Sequence, residues 1–228
     1  MSRFGDDYSY NRFMGSARLL AVLGLLLITC GGAAGPGPSA SAIVSTGPTA
    51  SAAAARQLSA TEAETAVGAL VRDTLAAFKK RDGPALAALA HPSRGVRFSP
   101  YAYLTATNIV LSAPQLANAF TDPTKRTWGI TDGRGDPIIL TFADYSREYI
   151  YERDFAAASQ TAYNKIIGMG NAIDNTADVF PNAILFEAYD PGPDPRLKDT
   201  MWQCIRLLFE RSSDRWFLVS VVHGAWTI

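Results

Sequence analysis

Between residues 61 and 82 the apolar positions recur at helical spacing. Ala63, Val67, Leu70, Val71, Thr74, Leu75 and Phe78 fall on one face of a 3.6-residue period. Thr61 with Glu64 reads as a capping box at the start, and Lys79, Lys80 and Arg81 close the helix at the negative end of its dipole. A second short helix is predicted directly afterwards, with Asp82 as its cap and Pro84 in its first turn. The period then drops to two: Val96, Phe98 and Pro100 alternate with Arg97 and Ser99, as in a strand. Ser112 caps a predicted short helix over 112–120. Two strand-like pieces follow around the turn "DGRGD" at 132–136, and Thr141 with Asp144 opens a helix in "TFADYSREYIYERDF". "AYNKIIGMGNAI" fits neither period. A strand is expected at 184–189, "DPGPDPRLK" is a loop, and "MWQCIRLLFE" and "RWFLVSVVHGAWTI" flank "RSSD" as an antiparallel hairpin.

Helices first, a mixed middle and strong antiparallel strands at the end predict an α+β domain over 61–228. What precedes it differs in kind. Residues 19–29 are uncharged and apolar, too short for the roughly 20 residues of a bilayer span but the length of a signal-peptide core, with Arg3, Arg12 and Arg18 before it. "Leu27-Ile28-Thr29-Cys30" resembles the lipobox of bacterial lipoproteins, with Thr29 where Gly or Ala is usual. The resemblance implies a signal peptide over 1–29, removal of that peptide, and acylation of Cys30. The partner is then the lipid membrane, and the location extracytoplasmic on a bacterial cell membrane. Plain secretion after cleavage at a later small-residue site, or an uncleaved anchor, are the other readings. Residues 30–60 are rich in Gly, Pro, Ser, Thr and Ala and read as a flexible linker, which spans roughly 30 Å as a random chain.

Charge removes one class of function. The 228 residues carry 21 basic and 21 acidic side chains, so no basic excess is available for nucleic acid. With Cys30 acylated, Cys204 is the one remaining cysteine. A disulfide framework is excluded, and "WQCIRLLF" places that thiol in an apolar setting.

A long amphipathic helix, the short helix of "RDGPALAALAHP" and a sheet ending in a Trp-rich hairpin resemble the NTF2-like, cystatin-type cone fold. "HPSRGVRFSPYAYL", "WGITDGRGDPIILTF" and "HGAWTI" resemble a group of exported bacterial lipoproteins without an assigned activity. The resemblance implies N-terminal helices packed on a strongly bent antiparallel sheet. It carries no activity with it, because this fold hosts enzymes, binding modules and assembly domains.

Candidate chemistry is sparse. His91 and His223 are the two histidines. They are either core and capping residues or members of a pocket where one serves as a general base. His223 shares a period-two face with Phe217, Val219 and Val221. Arg97 and Arg206 lie in strand-like stretches. If Arg206 points to the face of Trp202, Cys204 and Leu208 it is a buried cation that needs a carboxylate, and Glu187 in "LFEAY" is a candidate. That pair is either structural or part of an anion pocket. Tyr101, Tyr103 and Trp226 supply aromatic surface for sugars or small hydrophobes, or plain packing. No metal-ligand spacing, no nucleophile elbow and no phosphate-binding Gly/Lys loop occurs, and no cofactor is implied. The leading expectation is a non-catalytic domain that binds a small ligand or an envelope component. A hydrolase- or isomerase-like enzyme using His223 or His91 is the first alternative, and a homodimer formed through the sheet is the second.

Overall fold

The computed structural model describes residues 58–197 and 200–226. Cys30, the expected signal peptide over 1–29 and nearly all of the expected linker over 30–60 lie outside them. The described chain is α+β. Its helices are α1 (Ala60–Lys80), α2 (Gly83–Leu89), α3 (Ala113–Ala117), α4 (Phe142–Tyr149) and α5 (Thr176–Val179). Its strands are β1 (Val96–Ser99), β2 (Val110–Leu111), β3 (Arg126–Ile130), β4 (Pro137–Leu140), β5 (Gln160–Tyr163), β6 (Ile184–Asp190), β7 (Gln203–Ser212) and β8 (Arg215–Ala225). Among the described residues no helix is long and apolar enough to cross a membrane.

α1 buries the predicted stripe, with Ala63, Val67, Val71, Thr74, Leu75 and Phe78 inward. It starts two residues earlier than its pattern implies. Ser59 is the cap, and its box partner is Glu62 rather than Glu64. Leu58, just before the cap, is partly buried and packs against the large core. Asp82 caps α2 and Thr141 caps α4 as their sequences predict.

The main sheet has the order β2-β1-β8-β7-β6-β5, and β3 and β4 form a separate two-stranded sheet around the 132–136 turn. Two features depart from the expected sheet. It is mixed, because β1 runs parallel to β8, and it is not strongly curled. The parallel pairing arises because β1 and β8 meet from opposite ends of the domain sequence, so no tight turn dictates their direction.

Both faces of the sheet are covered. Ile205, Leu207 and Phe209 of β7, with Ile184, Phe186 and Ala188 of β6, belong to the large core that includes α1. The alternate residues belong to the opposite face, where Leu208 and Val222 pack with Leu104, Phe180 and Ala183. This explains why β7 and β8 read as near-continuous apolar runs. A bulge in the hairpin changes one expectation. The register shifts so that Leu218 pairs with Phe209 and Ser220 with Leu208, leaving Val219 extra. Val219 therefore packs on one face while Val221 packs on the other, and the single face Phe217–Val219–Val221–His223 is split.

Candidate functional site

After β1 the chain leaves the sheet edge through Pro100 and Tyr101. Three contacts fasten this segment: Ser99 Oγ donates to the Tyr101 carbonyl (2.7 Å), His223 Nδ1 meets the Pro100 carbonyl (2.9 Å), and the Tyr101 hydroxyl accepts from the Asp132 amide (3.0 Å). Tyr101 so placed walls three separate cavities, of about 330, 480 and 400 Å3.

The 330 Å3 cavity lies over β7 and β8 and is lined by Ile166, Met169, Ile173, Trp202 and Arg206. Arg206 is 2% exposed and Glu187 is fully buried, and the two are cross-strand partners. The guanidinium is used on three sides. Nε donates to Glu187 Oε2 (2.8 Å), one Nη to Asp174 Oδ2 (2.7 Å) and the other to the Gly168 carbonyl (2.7 Å). Glu187 Oε1 in turn accepts the amides of Ile167 (3.1 Å) and Gly168 (2.6 Å). Burial alone would lower the pKa of Arg206, but Cys204, Glu187 and Asp174 more than offset it and raise it. The network clamps the 164–175 segment, whose sequence fits no period, onto the sheet. Two glycines make room: a Cβ at Gly168 would lie 2.7 Å from the Trp202 ring, and one at Gly224 would lie 2.6 Å from Cys204 Sγ.

The 480 Å3 cavity lies between the segment after β1 and the β3–β4 hairpin, and its lining includes Tyr103, Thr105, Thr107, Asn108 and Thr127. Arg97 supports it from β1 by donating to the Thr105 carbonyl (2.6 Å).

The 400 Å3 cleft has His223 with Tyr149, Glu148, Asp132 and Trp226 around it. His223 is buried, and its Nε2 lies 3.1 Å from Glu152 Oε1. A carbonyl only accepts, so the Pro100 contact places a hydrogen on Nδ1. The contact of Nε2 with Glu152 is then attractive only with a further proton between them. Nδ1 is thus engaged by the Pro100 carbonyl, while the buried Nε2 makes no hydrogen bond in the protein and has only its approach to Glu152. Apart from that contact, neither Glu152 oxygen has a partner, and the buried Tyr145 hydroxyl has none. Burial, then Tyr149, Glu152 and Tyr101, raise the Tyr145 pKa well above the ordinary phenol value.

Of the residues singled out in the sequence, Tyr101 links Tyr103 and Arg97 on one side, Arg206 and Glu187 on another, and His223 and Trp226 on the third. His91 is elsewhere. Its amide bonds to Leu218 of β8, roughly 17 Å along the strand from His223, and its Nδ1 accepts from the Arg94 amide (3.2 Å). The two histidines therefore do not share a site. Along the final hairpin β7 and β8 are almost wholly buried, and the large exposed hydrophobics of the described residues lie elsewhere, such as Met169, Ile173 and Ile130. Asp174, Glu152, Tyr145 and Tyr149 went unnoticed in the sequence. Tyr145 and Tyr149 sit at i and i+4 on one face of α4, a spacing legible in the sequence, whereas Glu152 lies beyond the helix end. Asp174 carried no local signal.

Comparison with known proteins adds no relative: no family model matches the chain, and no curated protein matches it.

Proposed function

We propose that this protein is an exported bacterial lipoprotein, held on the outer side of a cell membrane by acylated Cys30, whose folded domain binds a small ligand or envelope component without transforming it. The lipobox-like "LITC" after an apolar run, and the Gly/Pro/Ser/Ala linker behind it, support the anchor and the extracytoplasmic location. The helix pair ahead of a sheet that ends in a long hairpin supports an NTF2-like reading of the domain by element order alone, since the sheet is not strongly curled.

The observation that carries the binding function is the convergence of three cavities on Tyr101, each within the usual volume range of small-molecule sites. Anion capture at Arg206 is not the favoured mode, because two carboxylates and a carbonyl already surround the guanidinium. A second reading, a hydrolase- or isomerase-like enzyme, draws on the His223–Glu152 contact beside the cleft. Thermal-shift and surface-plasmon screens against envelope glycans and small apolar compounds test the proposal. Hits should be lost in Tyr101→Ala. Turnover of a hit, abolished by His223→Gln, would replace binding by catalysis.

A further inference from the structure

Of the three cavities around Tyr101, the 400 Å3 cleft is the one whose walls carry charge the protein leaves uncancelled. Asp132 and Glu148 stand on its sides, and among the described residues no Lys or Arg lines it. Arg147 bonds Glu148 without lining the cleft, and it is shared with Asp144. The Asp132 amide donates to the Tyr101 hydroxyl, while its carboxylate has no hydrogen bond or ion pair among the described residues. Next to His223 lies Glu152, whose two carboxylate oxygens are buried and accept no hydrogen bond. With one proton between His223 and Glu152, or with none, that pair carries a net charge of zero or minus one. Arg153 is the counterweight on this side, donating to Gln203 at the wall of the cleft (2.7 Å). The balance stays negative, which disfavours an anion.

The same cleft is walled by aromatic rings. Tyr101 and Tyr149 meet at 83°, with 6.4 Å between centroids, and form a corner. Tyr149 is fixed by stacking on buried Tyr145 (5.4 Å) and by an edge contact with His223 (5.8 Å). Trp226, the first residue after β8, lines the cleft and is 41% exposed. Ring faces carry negative charge density, so a corner of rings beside an unpaired carboxylate attracts a cation. A metal ion needs several ligand atoms in its coordination shell, and among the described residues no cluster of three His, Cys, Asp or Glu side chains is present. A cation that donates no hydrogen bonds and is held by ring faces fits better.

We propose that the 400 Å3 cleft binds a quaternary ammonium group, seated between Tyr101, Tyr149 and Trp226 and balanced by Asp132. This names the ligand class of the small-ligand reading and rests on it.

The test titrates the mature chain, with Cys30→Ser, by amide NMR against three probes. These are choline, 3,3-dimethylbutan-1-ol, in which carbon replaces the charged nitrogen, and ethanolamine, in which hydrogens replace the methyl groups. Choline should shift the amides of Asp132, Gln203 and Ala225 with one saturation curve. The neutral alcohol should bind about tenfold more weakly, and ethanolamine should also bind more weakly than choline. Asp132→Asn should weaken choline about fivefold and leave the alcohol unchanged, while Trp226→Leu should narrow the gap between choline and the alcohol. Both side chains are exposed, and unchanged melting temperatures establish that each variant is folded. If choline binds as expected, flotation of the chain with phosphatidylcholine but not phosphatidylglycerol vesicles places the group on a lipid head. Its failure to float with either places the group on a free solute. Equal affinity for choline and the alcohol, or tighter binding of ethanolamine, overturns the proposal while small-ligand binding stands. If no probe moves these amides, the proposal fails, and the broader reading is decided by whether the ligand screen yields hits that Tyr101→Ala abolishes.

Discussion

Arg206 and Glu187 face each other across β7 and β6, and the 2.8 Å contact between them is the buried fastening of the 164–175 segment. Glu187 bonds that segment through two amides, and Arg206 bonds it through the Gly168 carbonyl and Asp174. Removing one partner strands the other charge in the interior. Glu187→Ala should therefore destabilise the domain by about 3–5 kcal/mol, measured by urea denaturation. The exposed Arg134–Asp136 pair is the control: Asp136→Ala should cost less than about 1 kcal/mol. Equal costs for the two variants would refute the clamp.

His91 makes stability depend on pH. Burial lowers its pKa below the ordinary 6.5, with Arg94 acting in the same direction and Glu210 opposing. The folded protein thus favours the neutral ring, whose Nδ1 accepts from the Arg94 amide. The unfolded chain takes up the proton first as pH falls. The contribution is fully present above about 6.5 and is lost as pH drops through the lower folded value. Melting temperatures between pH 7.5 and 5 should fall less steeply in His91→Asn than in the parent. Parallel curves would remove His91 as the source.

Burial, then the nearby carboxylates of Glu187 and Glu152, push the Cys204 thiol well above its ordinary range, although Arg206 opposes them. Thiolate is the reactive form, so the folded chain should resist alkylation. In a Cys30→Ser background, iodoacetamide at pH 8 should label Cys204 only after denaturant is added. Rapid labelling of folded protein would contradict the buried placement.

The start of α1 is testable by its cap. Ser59→Ala should cost about 1 kcal/mol, because Ser59 Oγ accepts from the Glu62 amide and Glu62 bonds back to Ser59. Thr61→Ala should change little, since Thr61 lies inside the helix and is exposed. The reverse order would restore the later start.

Periodicity by itself determined the α1 stripe, the caps at Asp82 and Thr141, the turn at 132–136 and the terminal hairpin. Each depends on residues within a few positions of one another, where local sterics and hydrogen bonding dominate. The Arg206–Glu187 partnership was also legible, because two charged residues amid apolar strands have few ways to be satisfied. Tertiary structure alone decided the rest. The parallel β1–β8 pairing joins segments more than a hundred residues apart, and no local pattern sets its direction. The bulge at Val219 moved a side chain to the other face, which alternation cannot foresee. Asp174 reached Arg206 from a segment with no regular period, and Tyr101 became the shared wall of three cavities where His223 meets the Pro100 carbonyl before it and the Asp132 amide donates to its hydroxyl, both from distant parts of the chain. Secondary structure follows from neighbours in sequence. The site follows from neighbours in space, which only the folded chain brings together.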